Sequence, residues 1–120
     1  MRKIRVDRQK WQRNWSPKNR LWDSNSCQGC ILGHAIHQID KCSWNDLDGL
    51  STPKEYYQRE SVFTGCYDYE YWDLQTEVEN NSFAELAMEI NDDHNLKDNQ
   101  REEALIKLFK DEGMILEFYN

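Results

Sequence analysis

The sequence predicts an α+β fold, a small antiparallel sheet that includes the paired N- and C-terminal strands, covered by three or four helices. Three observations carry that expectation. Ile4 and Val6 alternate with charged residues at the start of the chain, two late segments combine helical periodicity with caps, and Met114–Tyr119 has strand composition. The 120 residues suit one domain, 1–120. Fifteen aromatics, five of them Trp, argue against disorder, because each large ring supplies apolar surface to bury.

The elements follow in order. Ile4 and Val6, set among Lys3, Arg5 and Asp7, show the two-residue period of a strand with one buried face. Trp15 to Asn19 reads as a turn, since Pro17 pushes its predecessor out of helical space. A helix is expected from about Cys27 to Ile39 with Ser26 as its N-cap. Ile31, Leu32, Ala35, Ile36 and Ile39 then form one face, and Cys30, His34 and His37 the opposite one. Gly29 and Gly33 weaken that helix by about 1 kcal/mol each relative to Ala, so a close backbone approach by a neighbour is expected there.

Residues 40–52 read as loop. Thr52 as cap and Pro53 in the first helical position begin a short helix through Tyr56 and Tyr57. From Phe63 to Asp73, Tyr67, Tyr69 and Tyr71 alternate with Asp68 and Glu70, which fits either a strand or an aromatic loop. Ser82 and Glu85 form a capping-box pattern ahead of a stripe of Phe83, Leu86, Ala87 and Ile90. Asn91-Asp92-Asp93 closes that helix, its side-chain oxygens suited to local amides. The last helix starts near Asp98 or Asn99, turns Leu105, Leu108 and Phe109 inward, and stops at a left-handed Gly113. The tail strand pairs naturally with the first, bringing Glu117 near the basic start.

The net charge of −7 hides a segregation. Residues 1–22 hold eight Lys or Arg against Asp7 alone, so that segment carries +7, and seven bases against 21 acids leave −14 on the rest. A basic arm interleaved with Trp11, Trp15 and Trp22 fits nucleic acid, but an acidic body attracts its own basic segment first, and docking of the arm on the body is the preferred reading. No run of residues approaches the ~18–20 apolar residues of a membrane span, and no secretory stretch follows the basic start, so the protein is expected in the cytoplasm with no membrane partner. In that compartment thiols stay reduced.

Cys27, Cys30, His34 and His37 place four potential zinc ligands within eleven residues. Against a zinc site stands the physics of structural metals, which join separated pieces of chain, whereas this cluster sits on one. No metal ligand and no cofactor is therefore assigned, with zinc kept as an alternative. No phosphate-cradling glycine loop, serine elbow or paired-carboxylate motif is present, and the chain is not expected to be an enzyme. The better candidate surface is aromatic and acidic, Tyr67, Asp68, Tyr69, Glu70, Tyr71 and Trp72, because tyrosine is rigid and amphipathic and the acids give charge complementarity.

An ordered set of residues also carries a resemblance: Trp11, Cys30-Ile31-Leu32-Gly33, Gly49 before Thr52-Pro53, Ile90-Asn91-Asp92-Asp93, Arg101-Glu102-Glu103, Leu108-Phe109, Gly113-Met114 and Glu117-Phe118. Across nearly the whole chain it resembles a family of small uncharacterised proteins of tailed phages and prophages. That resemblance implies a phage origin and action in the host cytoplasm, and carries over no catalytic residue. His34 departs from it, standing where a bulky apolar residue is expected after Gly33, and Cys27 and His37 are also particular to this chain.

The leading expectation is a non-enzymatic phage accessory protein that binds and modulates a host protein, such as a defence or nucleic-acid-handling factor, through the acidic aromatic surface. One alternative is a protein that binds or sequesters a small nucleotide-like molecule in a pocket stacked by Trp or Tyr and gripped by the basic segment. The other is a zinc-binding module.

Overall fold

Alternation at both ends of the chain builds the sheet. In the computed structural model, which describes residues 2–13, 19–53, 55–56 and 82–120, β1 (Arg2–Asp7) turns Ile4 and Val6 into the core and leaves Lys3 and Arg5 outside. The last strand, β2 (Met114–Tyr119), does the same with Met114 and Leu116 inward and Ile115 outward. They pair as a two-stranded sheet with Arg5 opposite Glu117, and Glu117 reaches Lys3 at 3.1 Å.

The pairing is parallel, not antiparallel as expected. Inward and outward alternation is identical for the two directions, so strand pattern alone is blind to it. Direction is set by the chain between, which is long enough and helical enough to serve as the crossover that parallel strands require. The α+β class stands.

Between the strands lie a single 3-10 turn (Arg8–Lys10), α1 (Ile31–Ile39), α2 (Trp44–Leu47), α3 (Ser82–Asp92) and α4 (Asp98–Asp111). Pro53, Glu55 and Tyr56 are also helical, and the Thr52 hydroxyl accepts from the Glu55 amide as its cap role requires. The α2 turn falls inside the stretch read as loop, held by Asp46, whose carboxylate accepts from both the amide and the hydroxyl of Ser43. Gly113 ends α4 with φ +79, the left-handed stop that lets β2 reverse along the helix. No described helix is long and apolar enough to cross a membrane.

The start of α1 is a second correction. It begins at Ile31, and Ser26 does not cap it, because residues 23–28 close on themselves instead. Asp23 and Gln28 exchange backbone bonds of 2.7 and 3.3 Å around a turn in which Cys27 has φ +55. The expected close approach is present. A Cβ on Gly33 would lie 1.8 Å from the Leu21 carbonyl oxygen, and one on Gly29 would lie 2.2 Å from it. Both glycines are needed for the Leu21 peptide to lie on the helix.

The core gathers Ile4, Val6, Ile31, Ile36, Leu105 and Phe109 between sheet and helices, with Phe83 meeting Phe109 edge to face at 5.0 Å. From the expected stripe of α3, Phe83 and Ala87 are buried while Leu86 is exposed, its place at the packing surface taken by Ala84. The basic segment is docked. Arg8 makes a two-pronged contact with Glu102 at 2.9 and 2.7 Å, and Arg13 another with Asp98 at 3.1 and 3.0 Å.

Candidate functional site

The four candidate zinc ligands do not converge. Cys27 is exposed in its turn, while Cys30 is buried at the N-cap of α1, and burial pushes its thiol up to about 11. His34 and His37 follow within α1, yet not on a solvent face. His34 is only 3% exposed, covered by the segment that follows β1, and its Nε2–H donates to the Lys10 carbonyl at 2.8 Å. Burial lowers its pKa to about 4, so the ring is neutral with its proton on Nε2. His37 donates from Nδ1 to the Cys42 carbonyl at 2.7 Å. One nitrogen of each imidazole thus serves a backbone oxygen. Among the described residues no three His, Cys, Asp or Glu side chains surround a common point where a cation fits.

Three of the residues that carried the resemblance, Trp11, Ile31 and Asn91, meet in a buried knot. Asn91 Oδ1 accepts from Trp11 Nε1 at 2.8 Å and from the Ile31 amide at 3.0 Å, while its Nδ2 donates to the Gln12 carbonyl at 3.1 Å. Asn91 therefore caps α1 from a distant helix, satisfying an orphan first-turn amide that Cys30 leaves unbonded. Its expected role was local. Asp93 does act locally, accepting from the Asn95 amide at 2.9 Å. Arg101, wholly buried, ties the α3–α4 connection by donating to the carbonyls of Ile90, Asp93 and Leu96 and to Asp98. These residues hold the fold and leave no reactive group poised.

A different region has the character of a site. A half-open pocket of about 260 Å³ lies where β1, α1, α2 and the end of β2 meet. Arg5 and Asp7 enter it from β1 and Lys10 from the following turn. His34, His37 and Gln38 come from one side of α1, Trp44 from α2 and Tyr119 from β2. Trp44 is the centre of an aromatic stack, 4.0 Å from Trp22 on one side and 3.9 Å from His37 on the other, with His34 edge-on at 5.1 Å. That stack gives the pocket a rigid wall.

The rim is equally well placed. The Gln38 side chain imitates a neighbouring strand, accepting from the Arg5 amide at 2.7 Å and donating to the Arg5 carbonyl at 2.6 Å, which fixes β1 at that residue. The Arg5 guanidinium lies 4.8 Å from the centre of the Tyr119 ring. The lining brings two cations, Arg5 and Lys10, together with one carboxylate, Asp7, on a chain of −7. The described lining holds no Ser, Thr or Cys. The arrangement suits binding of a small anion beside a ring.

Tyr67, Asp68, Tyr69, Glu70, Tyr71 and Trp72 lie outside the described residues, as does most of the expected turn from Trp15. Lys10, Trp44 and Tyr119 are pocket residues that sequence reading did not single out. Their one signal was compositional: a basic segment with aromatics available elsewhere to meet it. The chain matches no family model, no curated protein and no solved structure.

Proposed function

We propose that this chain is a non-enzymatic binding protein that takes a small, ring-bearing, nucleotide-like molecule into the pocket between β1, α1, α2 and β2. The observation that carries the reading is the convergence there of two cations, Arg5 and Lys10, with the stacked wall of Trp44 and His37. Burial pushes the Cys30 and Cys42 thiols up to about 11, which works against thiolate chemistry at those two positions. A panel of nucleobases, nucleosides and nucleotides in a thermal-shift assay tests the reading. A ligand at 100 times its Kd stabilises by about 2.7 kcal/mol and raises Tm by several degrees. Trp44 fluorescence responds to the same compounds. No shift at millimolar concentration with every member of the panel rejects the proposal.

A second reading, the phage accessory protein that binds a host protein in the host cytoplasm, draws on a separate observation. Arg8 and Arg13 are already paired with Glu102 and Asp98, so much of the basic segment is neutralised internally and the remaining exterior is acidic. Its contact residues are Tyr67, Asp68, Tyr69, Glu70, Tyr71 and Trp72. Salt-sensitive capture of a basic host protein that is lost in Asp68→Lys and Glu70→Lys supports it, and capture unchanged by those substitutions rejects it.

A further inference from the structure

We infer that the pocket recognises a phosphate monoester, that Arg5 is the residue that reads the phosphate, and that Glu117 competes with the ligand for Arg5. The inference rests on the small-ligand reading of this pocket and adds to it the anion and the residue that selects it.

Arg5 differs from three other arginines of the described chain. Arg8 and Arg13 each hold a carboxylate through two hydrogen bonds, and Arg101 is saturated by carbonyls and Asp98. Arg5 has no such acceptor. Its nearest carboxylate, Glu117, stands 3.8 Å from Nε, beyond hydrogen-bond range, and the other oxygen of that carboxylate is taken by Lys3 at 3.1 Å. Yet Arg5 is not loose: Gln38 clamps its backbone on both sides, and its guanidinium lies over the Tyr119 ring. A guanidinium held by its backbone and against a ring, with no carboxylate in hydrogen-bond range, has N–H donors that can bind phosphate or carboxylate with two parallel bonds.

The choice of phosphate over carboxylate comes from the second cation. Lys10 approaches from the turn after β1, a different element, and forms no ion pair with a described carboxylate. One anion must therefore satisfy a fork and a point charge arriving from separate directions. A phosphate monoester offers three terminal oxygens and close to two negative charges at neutral pH, whereas a carboxylate offers two coplanar oxygens and one charge. Asp7 on the same wall can accept from an N–H or O–H of the attached ring system. At about 260 Å³ the cavity is under the ~300–1,000 Å³ typical of drug-sized ligands, so the phosphate and the adjoining ring edge fill it and the remainder projects through its open side.

The test uses the full chain, isothermal titration calorimetry and tryptophan fluorescence, with each nucleoside 5′-monophosphate compared with its parent nucleoside. The expected result is that at least one monophosphate binds tenfold or more tightly than its nucleoside and that inorganic phosphate competes with it. Arg5→Gln weakens the monophosphate at least tenfold and the nucleoside far less, so that the advantage of the monophosphate is lost. Glu117→Gln tightens the monophosphate two- to fivefold and leaves the nucleoside unchanged, because the competing charge is gone. The Arg5 and Glu117 side chains are 60% and 45% exposed, so both variants keep the wild-type Tm within a few degrees, which the same samples check. Binding in which nucleoside and monophosphate are equal, or which Arg5→Gln does not weaken, overturns the phosphate assignment and leaves the small-ligand reading standing. Monophosphate binding that Glu117→Gln fails to tighten overturns the competition. Absence of binding by every compound removes the small-ligand reading and this inference with it.

Discussion

The Asn91 knot and the Arg5 pocket are both rich in polar side chains, and they differ in where the hydrogen bonds go. In the knot, Asn91 and Arg101 are committed to backbone groups of segments far apart in sequence, Gln12, Ile31, Ile90 and Leu96 among them. In the pocket, Arg5 and Lys10 are held by their backbones, while the Arg5 guanidinium comes no closer than 3.8 Å to the Glu117 carboxylate in an ion pair and Lys10 has no ion pair among the described residues. Buried polar groups that answer main chain are structure, because removing one leaves its partner unsatisfied in a low-dielectric interior. Positioned charges without a hydrogen-bonded carboxylate are available to a ligand. The contrast assigns roles to residues that look alike as letters.

The largest effect is expected from breaking the knot. Asn91→Ala leaves the Trp11 indole N–H and the Ile31 amide without their acceptor, each a buried donor costing roughly 1–3 kcal/mol, so urea denaturation should show a loss on the order of 2–6 kcal/mol. The pocket sits elsewhere, and any of its variants that lowered stability as much would erase the distinction. Next comes Gly33→Ala. Ala gains about 1 kcal/mol of helix propensity, but its Cβ would fall 1.8 Å from the Leu21 oxygen and 2.6 Å from the Leu21 carbonyl carbon. Backbone must move, at about 3 kcal/mol, the upper end of ordinary overpacking. The net expectation is destabilisation by roughly 2 kcal/mol, where propensity alone expects a gain.

His34 belongs to both regions, buried like the knot and lining the pocket. Its pKa is lowered by burial from 6.5 to about 4, so below pH 6.5 the unfolded chain takes up a proton that the folded chain refuses. Stability present at neutral pH is therefore lost as pH falls from about 6.5 towards 4, with no further loss from this group below that. Between pH 7 and pH 5 the expected decrease is about 2 kcal/mol. Denaturation of the wild type and of His34→Gln at the two pH values isolates it, since the variant lacks this share of the slope. Equal slopes would mean that the ring is solvated in the folded protein.

How much of this was legible follows from the range of the forces. The α4 helix and its Gly113 stop, and the body of α3, were readable because their signals lie within a few residues. Gly33 was readable as a close approach because a glycine that weakens a helix needs a steric reason. The start of α1 was misread for a physical cause: its first amide is capped by Asn91, sixty residues away, while Ser26 belongs to a turn closed by Asp23 and Gln28. Strand direction was unreadable, since Ile4, Val6, Met114 and Leu116 point inward under either pairing. The pocket was legible only as ingredients. Arg5, Trp44 and Tyr119 come from three parts of the chain, and only tertiary packing places a guanidinium over a ring.

The smallest expected effect sharpens the comparison most, because it concerns cations that do have partners. Arg8 and Glu102 form a two-pronged pair at 2.9 and 2.7 Å that docks the basic segment on α4. Its geometry is better than that of any Arg5 contact. Even so, the Arg8 side chain is partly exposed, and a pair in such a setting contributes roughly 0.2–1 kcal/mol after screening and side-chain entropy. Glu102→Gln should therefore lower stability by less than about 1 kcal/mol in low salt and by almost nothing at high salt, read from paired denaturation curves. Ligand affinity should stay unchanged, because Glu102 does not line the pocket. If Glu102→Gln tightened binding as Glu117→Gln is expected to, the relevant quantity would be the charge of the whole surface, and Arg5 would lose its claim to be the residue that selects the anion.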